Sequence, residues 1–268
     1  MEIKINLDKN VEENAQVYFE KAKKAKKKLE GAKKALEQTK KKLEKEEKSH
    51  SKTVEKEEAL KKSKERKKEW YEKFKWFISS DNILVIAGKD ASTNEVIIKK
   101  HTDPWNIVFH TEAPGSPFVV VKNKKDEEIP EQTKKEAAVF AGTHTKAWEL
   151  NMKNVEVFEV RPEQVTKETK AGEYIAKGSF MIYGKRKTHH VEIDLSIGYM
   201  EKDEAKIIMG GPTSAIKKHC KEYLTLKQGT LKKGEASNKI TKKFNLATNE
   251  EILSALPPGK FDFAKKQN

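Results

Sequence analysis

Hydrophobic positions are spaced in two different ways along the chain. From Val11 to Leu43 they recur at alternating steps of four and three, at Val11, Ala15, Tyr18, Ala22, Ala25, Leu29, Ala32, Leu36, Thr39 and Leu43. That repeat is the mark of a helix carrying a coiled-coil seam. Asn10 followed by Glu13 predicts an N-cap with its capping-box partner at the helix start. Residues 11–75 contain no proline and only one glycine, Gly31. The run Ser49, His50, Ser51, Lys52, Thr53 is the poorest helix former of the segment, and the seam resumes more weakly at Leu60, Ser63, Lys67, Trp70, Phe74 and Phe77. The spacing therefore predicts an antiparallel helical hairpin over residues 1–75, with a first helix of about 38 residues, or about 57 Å at 1.5 Å per residue.

From Trp76 onward the pattern changes to short apolar runs separated by Gly, Pro, Asn and Asp clusters. The runs are Ile83–Ala87, Ile107–Phe109, Phe118–Val121, Val155–Val160, Ser179–Tyr183, Ile207–Met209 and Tyr223–Leu226, and they read as strands. Val191, Ile193, Leu195 and Ile197 alternate with Glu192, Asp194 and Ser196, the period of a strand with one wet face. Capping boxes at Ser92/Glu95, Thr133/Glu136 and Thr248/Glu251 predict interspersed helices, the second running through Trp148. Ser179–Tyr183 followed by Val191–Ile197 reads as a hairpin. Residues 76–268 are thus expected to be one mixed domain, and the fold class α+β rather than doubly wound.

Composition sharpens the contrast. Charged residues make up 37% of the 268 positions and apolar residues 35%, which rules out a uniform globule. The net charge of +14 points to an anionic partner. It is concentrated early: residues 1–75 hold 25 basic and 16 acidic side chains, and residues 21–42 hold eleven lysines against two glutamates. Lys23, Lys26, Lys27, Lys33, Lys34 and Lys41 are the candidate contacts there, although such lysines can equally be the solvated face of a coil. No apolar run is long enough to span a membrane and the first ten residues do not resemble a signal peptide. A single cysteine, Cys220, excludes an internal disulfide, so the expected location is cytoplasmic, with no membrane partner.

Catalytic signals are weak. A phosphate-binding loop with Gly-Lys-Ser/Thr is absent, and Gly210, Gly211, Pro212, Thr213 reads as a strand-to-helix turn. Ser214 and Lys217 match a Ser-x-x-Lys spacing without its companion motifs. His189/His190 and His219/Cys220 are adjacent pairs that lack metal-site spacing. The chain is expected to be no enzyme and to need no metal or cofactor. Two loops stand out. Gly88–Glu95 follows a strand and opens a helix, and His110 ends a strand before Pro114, Gly115, Ser116 and Pro117. If those strands are neighbours, Lys89, Asn94, His110, Gly115 and Ser116 share one rim, where Gly88 and Gly115 allow close backbone approach and Lys89 and His110 add donors. The competing reading gives these residues capping, turn and structural roles only.

Several ordered stretches resemble the carboxy-terminal half of the NFACT family of ribosome quality-control proteins, in its archaeal branch. They are Asn14–Phe19 (NAQVYF), Trp70–Phe77 (WYEKFKWF), Gly88–Glu95, Trp105–Ser116, Ala147 with Trp148, Arg161–Lys167 (RPEQVTK) and Gly172–Lys185 (GEYIAKGSFMIYGK). The resemblance covers a coiled-coil arm and an NFACT-R domain. It implies that the family's NFACT-N domain and helix-hairpin-helix module would precede residue 1, so the chain is expected to be a fragment or a naturally split member. Two departures matter: Leu226–Gly229 stands where relatives often carry Pro-Gly, and Pro117 replaces a second histidine of bacterial members, so no two-histidine role is carried over. The resemblance implies RNA binding, with partners in the large ribosomal subunit obstructed by peptidyl-tRNA, its rRNA and the tRNA, and a protein partner on the arm. Lys185, Arg186 and Lys187 join the candidate phosphate contacts. The alternative is a protein-docking arm on a structural base.

Overall fold

In the computed structural model the described residues are 4, 6, 8, 10–65, 67–113, 115–168, 176–203, 205–246 and 248–264, with the side chains of 44, 45 and 47–65 outside that description. Pro114, Gly172–Ile175 and the seam side chains of Leu60 and Ser63 therefore lie outside the described set. The chain forms two compact units, residues 1–57 and 58–268.

The first unit is built from α1, Val11–Glu65. Its start is capped as the sequence predicts: Glu13 N–H donates to Asn10 Oδ1 at 2.8 Å and Asn10 N–H to Glu13 Oε2 at 3.0 Å. Asn14 and Tyr18 fasten the segment ahead of the cap, through Asn14 Nδ2 to Asn6 O at 2.9 Å and Tyr18 Oη to Lys4 O at 2.6 Å. The expected hairpin turn at 49–53 is corrected: the backbone stays helical through it. Ser, His and Thr each cost only a fraction of a kcal/mol in a helix, far less than Gly or Pro, and the surrounding Lys and Glu outweigh them. At 1.5 Å per residue the 55 residues span about 82 Å. Seam residues Leu29, Leu36 and Leu43 are 57%, 61% and 55% exposed.

The second unit is α+β. A six-stranded antiparallel sheet has the order β1-β2-β4-β3-β5-β8, formed by Lys75–Ile78, Leu84–Ala87, Val119–Val121, Ile107–His110, Asn154–Val160 and Lys187–Glu192. A four-stranded sheet has the order β10-β9-β11-β12, from Ala205–Gly211, Leu195–Lys202, Glu222–Lys232 and Lys260–Phe263. A short pair joins β6 (Val165–Thr166) to β7 (Met181–Ile182). The helices are α2 (Ala91–Lys100), α3 (Glu131–Thr143), α4 (Thr213–His219), α5 (Lys233–Lys243) and α6 (Glu250–Ala255). α3 packs on the larger sheet, where Phe77, Phe109, Val120 and Phe140 are at most 1% exposed. A second core gathers Trp148, Ile197, Ile240, Ile252 and Phe261 around the smaller sheet.

Several local expectations change. The predicted strand across 191–197 is two strands, because the chain leaves β8 after Glu192 and Asp194 turns to the start of α4, accepting from Thr213 N–H and Oγ1, both at 2.6 Å. The predicted hairpin of 179–183 with 191–197 does not form: β7 pairs with β6, and β8 with β5. α2 is capped by Asp90, whose Oδ1 accepts Thr93 N–H at 2.8 Å, rather than by Ser92. α3 starts at Glu131 and ends at Thr143, and Glu136 is 2% exposed, accepting Ser80 N–H at 2.8 Å and Ser214 Oγ–H at 2.6 Å. Ser214, the residue of the Ser-x-x-Lys spacing, is exposed and gives its hydroxyl hydrogen to the buried Glu136 carboxylate of α3. Leu226–Gly229 is no turn but part of β11, whose register against β12 shifts between Gln228 and Leu231.

Candidate nucleic-acid interface

β2 and β3 are not neighbours, as the shared-rim expectation required; both pair antiparallel with β4, which lies between them. They therefore run in the same direction and end at the same sheet edge. β1 is antiparallel to β2 with Lys75 opposite Ala87, so Lys75 stands at that edge too. The rim forms by a different pairing from the one expected, and it borders a groove of ≈ 830 Å³.

Within the groove the structure brings together Lys89, Asn94, His110, Gly115, Ser116 and Arg186. Their polar atoms are not equally available. Asn94 Oδ1 accepts Phe118 N–H at 3.1 Å, tying α2 to the start of β4. A Cβ on Gly88 would stand 1.9 Å from that oxygen, which is why glycine precedes Lys89. Ser116 is 5% exposed and its Oγ accepts Thr111 N–H at 3.3 Å. Gly115 has φ +76°, the left-handed conformation the turn requires. Asn94 and Ser116 thus build the rim.

His110 differs from the donor expected of it. Its ring stacks on Phe118 with centroids 4.0 Å apart and planes 3° apart. Nδ1 lies 2.9 Å from Pro117 O, a carbonyl that can only accept, so Nδ1 carries the proton. Burial holds the pKa below the ordinary histidine value, against the Pro117 contact that raises it, and Arg186 lowers it further. The neutral ring therefore keeps Nε2 as an acceptor, on a residue that lines the groove. Arg186 donates to Glu112 Oε1 at 2.8 Å and packs 4.8 Å above the Phe158 ring. Lys89 is exposed, and its pKa is lowered by partial burial and then by Lys68.

The sequence missed Lys75, Lys177 and Lys233, which also line the groove, and the aromatic walls Phe118, Phe158 and Phe180. Lys75 and Phe180 lie inside stretches quoted for the resemblance, but only as a junction and a strand. Lys185 and Lys187 fall outside the groove; Lys187 Nζ lies 3.7 Å from Glu159 and 3.9 Å from Glu131. Lys23, Lys26, Lys27, Lys33, Lys34 and Lys41 are exposed on α1, in the other unit. At 100° per residue Lys23, Lys27, Lys34 and Lys41 form one stripe, with Lys26 and Lys33 beside it. Among the described residues no group of three or more His, Cys, Asp or Glu could hold a metal, and no helix is long and apolar enough to cross a membrane.

An antiparallel sheet edge with lysines, an arginine and aromatic rings around one groove has the build of a nucleic-acid-binding module. Residues 73–184 match the family model described as the NFACT protein RNA binding domain, so this part of the chain belongs to that domain family. The chain is 39% identical over 210 residues to the archaeal Rqc2 homolog aRqcH of Methanocaldococcus jannaschii, a match covering 77% of this chain and 31% of that protein. It is 41% identical over 143 residues to the ribosome quality control complex subunit NEMF homolog of Drosophila melanogaster, covering 52% and 14%. With human ribosome quality control complex subunit NEMF the identity is 42% over 123 residues, covering 46% and 11%. The chain thus spans a third or less of the curated relatives it matches.

Proposed function

We propose that the chain is the RNA-contacting part of a ribosome quality-control factor that acts in the cytoplasm, binds large ribosomal subunits obstructed by peptidyl-tRNA, and catalyses nothing itself. The observation that carries this reading is the convergence of Lys75, Lys89, Lys177, Arg186 and Lys233 on one aromatic-walled groove, which the matched RNA-binding segment largely builds. Lysines along the groove meet phosphates, the half-buried Phe180 ring meets a base, and the Nε2 acceptor of His110 suits a ribose 2′-hydroxyl, the group that separates RNA from DNA. The α1 lysines add charge that draws the protein to rRNA.

A second reading concerns α1 alone. Its seam leucines are more than half exposed, a surface that fits a second helix in coiled-coil packing, either the missing arm of the expected hairpin or a protein partner. This reading makes α1 a docking lever and leaves the groove as the RNA site.

Pelleting the full chain with purified large subunits across a salt series tests the proposal. Contact with roughly six phosphates gives a log-log slope of about −4 to −5. A slope near zero would overturn RNA contact and leave the docking lever as the function.

A further inference from the structure

Two lysines are placed more deliberately than an open, charged groove requires. Lys75 Nζ gives two of its three hydrogens to backbone carbonyls, Ser254 O at 3.0 Å and Leu256 O at 2.9 Å. Lys233, the first residue of α5, donates to the same Leu256 oxygen at 2.9 Å. Between these contacts His144 Nε2 lies 3.0 Å from Ala255 O. Two carbonyls at the end of α6, Ser254 O and Leu256 O, thus hold two ammonium groups close together, and the Ala255 carbonyl between them meets His144. Each ammonium lies 2.9 Å from a shared oxygen, so the nitrogens are within twice that distance, a span one phosphate can bridge.

The arrangement is costly as it stands. Both side chains are half-buried, and among the described residues no carboxylate forms a salt bridge with either of them. Burial first, then Lys233 and Lys89, pull the Lys75 pKa down to about 7, and burial lowers that of Lys233. The nearby carboxylates are engaged or face elsewhere. Asp90 caps α2 and Glu112 pairs with Arg186. Glu72, Glu250 and Glu251 line a separate cavity of ≈ 200 Å³, which Lys75 and Lys89 divide from the groove. An anion entering from the groove meets one remaining hydrogen on Lys75, two on Lys233 and the exposed ammonium of Lys89.

We propose that Lys75 and Lys233, with Lys89 at the lip, form a seat for a single phosphate group of the bound strand. This rests on the RNA reading of the groove. Seating an anion there draws Lys75 toward its charged form, so binding takes up a proton near neutral pH. The groups facing Lys75 are Lys233 from α5, Lys89 from the loop after β2, His144 from the end of α3, and Glu72, Glu250 and Glu251 across the smaller cavity.

The test is calorimetry of the full chain at pH 7.5 in buffers of different ionisation heat. Three probes are used: a short oligoribonucleotide with a 5′-hydroxyl, the same strand with a 5′-phosphate, and inorganic phosphate. Wild type is expected to take up a fraction of a proton per strand, and Lys233→Gln to lose that uptake along with about ten-fold in affinity. Lys75→Gln removes the tie between β1 and α6 and can unfold the body, so Lys233→Gln and Lys89→Gln, checked by thermal melting, carry the test. A tighter 5′-phosphate strand identifies a terminal phosphate and equal affinity an internal one; both support the seat when Lys233→Gln abolishes the uptake. RNA binding at wild-type affinity by both folded variants, without proton uptake in wild type, overturns the seat and leaves RNA binding intact. If no strand binds, the RNA reading fails, and inorganic phosphate decides the seat alone. A rise in wild-type melting temperature that is absent in Lys233→Gln supports the seat, and no rise overturns it.

Discussion

The lysines of α1 and those around the groove carry the same charge in opposite circumstances. On α1, Lys23, Lys27, Lys34 and Lys41 stand in solvent on a helix face fixed by local sequence, and Lys41 makes an i,i+4 contact with Glu37 at 2.8 Å. At the groove, Lys75 and Lys233 are positioned by carbonyls of a segment far along the chain, and their pKa values are displaced by burial. Many charges without tertiary support give attraction over distance, which salt screens. A few charges held by tertiary contacts give a site with a shape. The two regions should therefore respond differently to anything that disturbs the body's packing.

Acid should separate them most strongly. Burial, helped by Lys75, outweighs the two carbonyls beside His144 and holds its pKa down to about 3. Because the folded value lies below the unfolded one, the unfolded chain takes up the proton first, and body stability falls as pH drops through and below 6.5. His110, also depressed, acts in the same direction. Between pH 6.5 and 4.5 the body should lose roughly 2 to 3 kcal/mol, and His144→Gln should flatten that decline. All four tryptophans, Trp70, Trp76, Trp105 and Trp148, lie beyond residue 65, so urea melts followed by tryptophan fluorescence report the body, while far-ultraviolet dichroism reports α1 as well.

A substitution at the rim comes next. Asn94→Ala leaves Phe118 N–H without its acceptor and should cost about 2 kcal/mol. Its urea midpoint should fall while the helical signal of α1 is unchanged. A midpoint equal to wild type would mean that the α2 to β4 tie does not hold the rim.

His110→Ala bears on the kind of nucleic acid rather than on stability of binding as such. Removing an acceptor for the 2′-hydroxyl should shrink the preference for RNA over DNA of the same sequence by a few-fold, measured by fluorescence anisotropy at fixed salt. An unchanged ratio with weaker binding to both strands would instead assign the ring to wall packing.

The smallest effect is expected from α1. Replacing Lys23, Lys26, Lys27, Lys33, Lys34 and Lys41 with glutamine leaves Ala22, Ala25, Leu29, Ala32 and Leu36 in place. Helicity and tryptophan-monitored stability should not move, while affinity for large subunits should drop a few-fold at low salt and hardly at all at high salt. An equal loss at both would assign the α1 lysines to direct contact.

The sequence reveals what is local and hides what is not. Most apolar runs became strands, because their burial pattern is written in consecutive residues: Val119, Val120 and Val121 are all fully buried in β4. The cap of α1 was readable for the same reason. The break after Glu192 was not, since the alternation continues through Ile193 and the cause, Asp194 reaching Thr213, lies nineteen residues away. The turn expected at 49–53 failed because weak helix formers do not stop a helix without a competing structure. At the groove, loops after β2 and β3 could be found from glycines and strand ends. Lys75 and Lys233 could not: each is one lysine among many, and only contacts to Ser254 and Leu256 set them apart.

The central claim is that RNA lies in the groove of the body rather than along α1. Ultraviolet cross-linking of a short single-stranded RNA to the full chain, mapped by mass spectrometry, tests it most directly. Phe180 and His110, the half-buried rings that line the groove, should carry cross-links, and these should persist when the six α1 lysines are replaced. Cross-links confined to residues 11–43 and lost with those lysines would contradict the account.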